Sequence, residues 1–166
     1  MTKAEIIEKG KFVLNGQNPN YSELKIKLYL DFFEKEHEIL FVNLPSLSSE
    51  PQMKVITEIV NELINYSISN KEWLKEKIWI HYNECIENTS YGEVPDEGFE
   101  NEVEANRAYF KIYNSEEAYK AARLDEILID IDFTDNRHFN LGYSCPWEDE
   151  HGLRILVENG KFNGME

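Results

Sequence analysis

Residues 126–157 alternate apolar and polar side chains with little interruption, and this pattern constrains the fold more than any other feature of the chain. In "EILIDIDF", Ile127, Ile129, Ile131 and Phe133 fall on one side, and Leu128, Asp130 and Asp132 on the other. "HFNLGYSC" sets Phe139, Leu141, Tyr143 and Cys145 against His138, Asn140, Gly142 and Ser144, and "LRILVE" adds Leu153, Ile155 and Val157. Period two sends successive side chains to opposite faces of an extended strand, so three strands with one buried face each are predicted. "TDNR" has turn chemistry, and Asn159-Gly160 before "KFNGM" is a two-residue hairpin signal. From Glu126 onward the chain therefore reads as a three- or four-stranded antiparallel meander. "PWEDEHG" is its middle connection, with Trp147 expected to fold back over the end of the core.

The rest of the chain mixes periods. Leu24, Ile26, Leu28, Leu30 and Phe32 alternate as a strand. "EKEHE" then reads as a charged loop with His37 at its tip, and "ILFVNL" as the partner strand ending at Pro45, which together form a hairpin. "GKFVLNG" is a further strand between glycines. "SEPQ" has capping-box spacing at Ser49 and Gln52, followed by Met53, Ile56, Val60, Leu63 and Ile64 at helical spacing. A second helix starts after Asn70 and carries Trp73, Leu74, Ile78, Trp79, Tyr82, Cys85 and Ile86 around most of its circumference. "RAYFKIY" reads as a strand or the start of a helix, the strand being preferred, and "NSEEAYKAARL" as a short helix capped by Asn114 with Glu117 three residues on. The expectation is one α+β domain over residues 1–166: an N-terminal β-hairpin, two central helices, an acidic loop near 88–104, a short helix and the C-terminal meander.

Charge narrows the function. The 166 residues hold 32 acids and 17 bases, a formal net charge of −15. Nucleic-acid affinity comes largely from Lys and Arg neutralising phosphates, so a nucleic-acid partner is not expected. Anionic membrane surfaces are disfavoured for the same reason. The longest charge-free apolar-rich stretch, "ILFVNLPSLSS", has 11 residues and contains a proline, short of the roughly 20 that a spanning helix needs. "MTKAEIIEKGKFVLNG" lacks the apolar run of a signal peptide, so a cytoplasmic location is expected. Eight acids (Glu84, Glu87, Glu93, Asp96, Glu97, Glu100, Glu102 and Glu104) occur from 84 to 104 with no Lys or Arg among them. Such a field speeds encounter with a basic protein.

Candidate chemistry is sparse. No glycine-rich phosphate loop, Gly-x-Ser-x-Gly elbow or His-Glu-x-x-His is present. Glu148, Asp149, Glu150 and His151 are legitimate cation ligands or an acid/base set, but they lack the alternate-position spacing and glycine of a calcium loop. A turn that contacts a partner is the preferred reading. His81 and Cys85 lie four apart on one helix face, and Cys145 and His151 lie six apart. The four together supply two imidazoles and two thiols for zinc. Against this, the spacing lacks a Cys-x-x-Cys knuckle, and Cys145 falls on the apolar face, where free Cys acts as a small hydrophobe. No cofactor is expected.

"CPWEDEHGLRILVENGK" resembles the C-terminal hairpin of a group of uncharacterised bacterial domains that reads Trp-acid-x-Glu-His-Gly-aliphatic, then a strand and a Gly-Lys turn. Trp147, Glu148, Glu150, His151, Gly152, Leu153, Gly160 and Lys161 carry the likeness. It implies an α+β domain ending in an antiparallel meander, and no enzymatic activity. In size and charge the chain is also similar to the immunity proteins of polymorphic toxin systems.

The leading expectation is a non-enzymatic acidic module that binds a basic protein, of the immunity type that neutralises a basic toxin or nuclease. Its expected contacts are Tyr91, Glu93, Asp96, Glu97, Phe99 and Glu100 in the acidic excursion, with Trp147, Glu148, Asp149, Glu150 and His151 at the hairpin. The alternative is a metal-binding protein or hydrolase using the 145–152 turn with His81 and Cys85.

Overall fold

The computed structural model describes residues 1–14, 21–45, 50–66, 71–91, 98–131, 137–158 and 161–165. The elements in chain order are α1 (Lys3–Lys9), β1 (Lys11–Leu14), β2 (Tyr21–Leu30), β3 (Lys35–Pro45), α2 (Glu50–Ile64), α3 (Lys71–Asn88), α4 (Glu102–Phe110), α5 (Ser115–Ala121), β4 (Arg123–Ile131), β5 (Arg137–Cys145), β6 (Glu148–Glu158) and β7 (Lys161–Met165). The fold is α+β, with the seven strands ordered β1-β2-β3-β4-β5-β6-β7. No described helix is long and apolar enough to cross a membrane. The chain divides into two compact units: Met1–Ile68 with Asp125–Gly142 and Arg154–Glu166, and Ser69–Leu124 with Tyr143–Leu153.

In the first unit the alternation read from the sequence is the burial pattern. Leu24, Ile26, Leu28 and Leu30 of β2, Ile127 and Ile129 of β4, Phe139 and Leu141 of β5, and Ile155 and Val157 of β6 are all buried. Met53, Ile56, Ile59, Val60 and Leu63 form the buried stripe of α2, which packs against β2 and α1. Ser49 and the Asn159-Gly160 turn lie outside the described residues, but β6 and β7 pair antiparallel with Glu158 opposite Lys161. Within "GKFVLNG", Lys11–Leu14 form β1, an antiparallel partner of β2.

Two expectations need correcting here. The β2–β3 hairpin turns at Asp31–Glu34, where Glu34 takes φ 54° and the backbone N–H groups of Phe33 and Glu34 donate to Leu30 and Asp31 carbonyls at 3.0 and 3.2 Å. "EKEHE" beyond Glu34 is therefore strand, and His37 sits opposite Leu28 with its ring 5.2 Å from Phe33, away from any tip. β3 also pairs parallel with β4, a pairing on which the sequence made no prediction. Second, "RAYFKIY" is not the preferred strand but helical up to Phe110. Asn101 Oδ1 accepts from the Glu104 N–H at 3.0 Å, and Glu102 and Glu104 stand in the first turn, where the helix dipole favours acids. The acidic loop near 88–104 therefore ends by Asn101.

The second unit is built on α3. Leu74, Ile78, Tyr82 and Ile86 recur every four residues as its buried stripe, while Trp73, Trp79, Ile80, His81 and Cys85 are only half-buried. The helix packs against α4 and α5. Polar links fasten them: Tyr82 Oη donates to the Ile112 carbonyl at 3.0 Å, Asn106 Nδ2 to the Ile86 carbonyl at 3.1 Å, and Arg107 Nη2 to Asn83 Oδ1 at 3.1 Å. Asn114 caps α5 as expected, its Oδ1 accepting from the Glu117 N–H at 3.0 Å.

Candidate functional site

The connection expected over "PWEDEHG" is only two residues long. Pro146 and Trp147 make the turn, and Glu148, Asp149, Glu150 and His151 are already strand β6. A two-residue connection forces β5 and β6 to run antiparallel, because a parallel pair needs a long crossover. Trp147 is 2% exposed, so the residue expected to cover the end of the core is itself core. Three contacts hold it. Its indole meets the edge of Tyr82 at 5.1 Å, its Nε1–H donates to His81 Nδ1 at 3.1 Å, and its carbonyl accepts from Tyr91 Oη at 2.7 Å.

This geometry assigns the His81 tautomer. An indole nitrogen only donates, so Nδ1 of His81 must present its lone pair, and the ring proton sits on Nε2. Nε2 faces Cys85 Sγ at 3.6 Å, so the imidazole donates to the sulfur. Burial pushes His81 below the ordinary histidine value, with Glu148 and Glu84 partly opposing it. Burial, then the same two carboxylates, push the Cys85 thiol up to about 11.

Chemically, this is the reverse of an activated thiol. A nucleophilic Cys needs a depressed pKa and a base able to take its proton. Here the only lone pair of neutral His81 is engaged by Trp147. A metal at Nε2 would likewise require the ring proton to move to Nδ1, against the indole N–H. Among the described residues no three of His, Cys, Asp and Glu are grouped to hold a metal ion. Cys145 is buried in β5, and Asp130 accepts from Asn43 Nδ2 at 3.1 and 3.2 Å.

The partner-contact candidates separate into groups. Asp149, Glu150 and His151 are exposed, His151 at 82% of its side chain. Glu148 is more enclosed; its Oε1 accepts from the His151 N–H at 3.2 Å and lies 3.7 Å from His151 Nδ1. Phe99 and Glu100 are exposed before α4. Tyr91 is engaged: beside its bond to Trp147, its ring meets Phe110 at 5.0 Å. Glu93, Asp96 and Glu97 lie outside the described residues. Sequence reasoning passed over Tyr109 and Tyr113, which are 52% and 60% exposed. The signal was an aromatic spacing readable only once 102–110 is recognised as a helix, where Glu102 and Tyr109, seven apart, share a side.

No significant match is found among curated proteins or among solved structures. The likeness drawn on residues 147–161 pointed to an uncharacterised domain group, and one family match agrees with it at that level over far more of the chain. With residues 12–165 matched, the chain belongs to the family described as a domain of unknown function, DUF6985.

Proposed function

We propose that this chain is a non-enzymatic module that binds a basic protein on the acidic surface of its second unit, in the manner of an immunity protein that neutralises a basic toxin or nuclease. The observation that carries the proposal is the sign of that surface. Glu72, Glu76, Glu84 and Glu87 are the exposed acids of α3, Glu100, Glu102 and Glu104 lead into α4, and Asp149 and Glu150 stand on β6. Its exposed bases are Lys111, Lys120 and Arg123. Phe99, Tyr109 and Tyr113 are exposed among these acids. Aromatic anchors with a charged surround are the composition of interface hot spots, and Tyr faces accept Arg guanidinium groups. Carboxylates would steer the partner, while the aromatics would supply the lasting contact.

The test is a tagged pull-down from host lysate at about 50 mM and about 500 mM salt, where screening lengths differ severalfold. It would be run on the wild type and on a variant with Glu100, Glu102 and Glu104 all changed to Gln. One basic protein, retained at low salt, weakened at high salt and captured roughly tenfold less by the variant, is the expected outcome. Capture that is indifferent to salt and to the substitutions, or no capture at all, would defeat the proposal.

A further inference from the structure

The 3.1 Å bond from Trp147 Nε1–H to His81 Nδ1 depends on the charge of the imidazole. A second ring proton goes to Nδ1, where it confronts the indole N–H donor to donor. We infer that His81 and Trp147 form a proton-operated latch: neutral His81 holds the Pro146–Trp147 turn against α3, and protonated His81 exchanges Trp147 for the Glu148 carboxylate and releases the turn. The proton comes from solvent, and no covalent bond changes.

The surroundings set both direction and partner. From α3, Glu84 and Cys85 face His81; from β6, Glu148 does; after α3, Tyr91 is tied to the Trp147 carbonyl. Cys85 already receives the Nε2 proton, so a new Nδ1–H needs another acceptor, and Glu148 is the carboxylate with the larger pull on this ring. Burial outweighs both carboxylates, so protonation falls below the ordinary value of about 6.5. Glu148 is also the acceptor that holds His151 N–H. Drawing it inward therefore loosens the start of β6, and a buried indole N–H left without a partner drives the same change. The latch rests on the His81–Trp147 bond and the groups around that ring, not on the acidic surface, so it stands or falls separately from the binding of a basic partner.

The test is by NMR on the intact protein. At pH 7.5, long-range proton–nitrogen spectra should show His81 as the Nε2–H tautomer. On lowering the pH, the Trp147 indole N–H signal, assigned with Trp147→Phe, should move together with the His81 nitrogens, with one midpoint below about 6.5. In His81→Gln, whose side chain can still accept a hydrogen bond, the Trp147 signal should no longer titrate in that range. Glu148→Gln should move the wild-type midpoint to lower pH. An Nδ1–H tautomer at pH 7.5, or a Trp147 signal that stays still while His81 titrates, overturns the latch, and both are read on the wild type. A Trp147 signal that titrates equally in His81→Gln overturns it as well.

Discussion

Gly152 stands at φ 67° inside β6, and a Cβ built on it would lie 2.3 Å from the carbonyl oxygen of Tyr143. Two costs would add on substitution. Left-handed backbone costs an L-residue roughly 1–2 kcal/mol, and the backbone carbonyl has no flexible end that can yield. Gly152→Ala should therefore destabilise by about 2–4 kcal/mol in urea denaturation. Gly164→Ala, with open space around its added methyl, should stay within about 0.5 kcal/mol. Equal midpoints for the two variants would show that the close approach at Gly152 is not made in solution. From the sequence, Gly152 read as the end of a turn, because nothing local distinguishes a turn glycine from one needed where two strands nearly touch. The same limit hid the His81 contacts. Its spacing from Cys85 was visible as a helical i,i+4 pair, but Trp147 is 66 residues away. The bond that decides the chemistry of that pair is long-range.

At the scale of elements, the strands with one apolar face and the long helices were legible, and the errors cluster where charge sits inside regular structure. "EKEHE" and "EDEH" were read as loops because charged residues favour solvent. In β3 and β6, Glu36, Glu38, Asp149, Glu150 and His151 are exposed and His37 and Glu148 half-buried, on strands whose other face, or later residues, are buried. α4 was misread in the opposite sense: its first-turn acids were counted with the preceding excursion, and its aromatic end was taken for a strand. What decides for helix is the cap at Asn101, with Lys111 in left-handed conformation closing the far end at φ 57°. Asn101→Ala should cost about 1 kcal/mol, the usual value for a lost N-cap, and Asn114→Ala a similar amount at α5. A nine-residue helix has little stability of its own. Asn101→Ala should therefore also raise hydrogen exchange in α4 before it affects the strands of the first unit. Uniform exchange throughout the chain would instead mean that α4 opens only with everything else.

Over the whole molecule, composition carried the fold class, since enough apolar residues alternate at period two and recur at helical spacing to demand both sheet and helix. It could not carry the parallel pairing of β3 with β4, because that choice depends on where a crossover of more than seventy residues delivers the chain, and no local pattern records it. Net charge is the other property of the whole chain, and it sets a prediction independent of any partner. At −15 the folded protein repels itself, and this self-repulsion opposes the compact state. The described ion pairs that salt would weaken are mostly exposed, such as Lys3 with Glu50 and Lys120 with Glu116, and each such pair is worth at most about 1 kcal/mol. Screening should therefore relieve more repulsion than attraction. Thermal denaturation at pH 7.5 should show Tm rising by several degrees between about 10 and about 300 mM NaCl, as the Debye length falls from roughly 30 Å to less than 8 Å. The gain should shrink when exposed acids of the second unit are neutralised, because that removes the same repulsion by another route. A Tm that falls with salt would mean that paired charges contribute more to this fold than the excess of acids takes away.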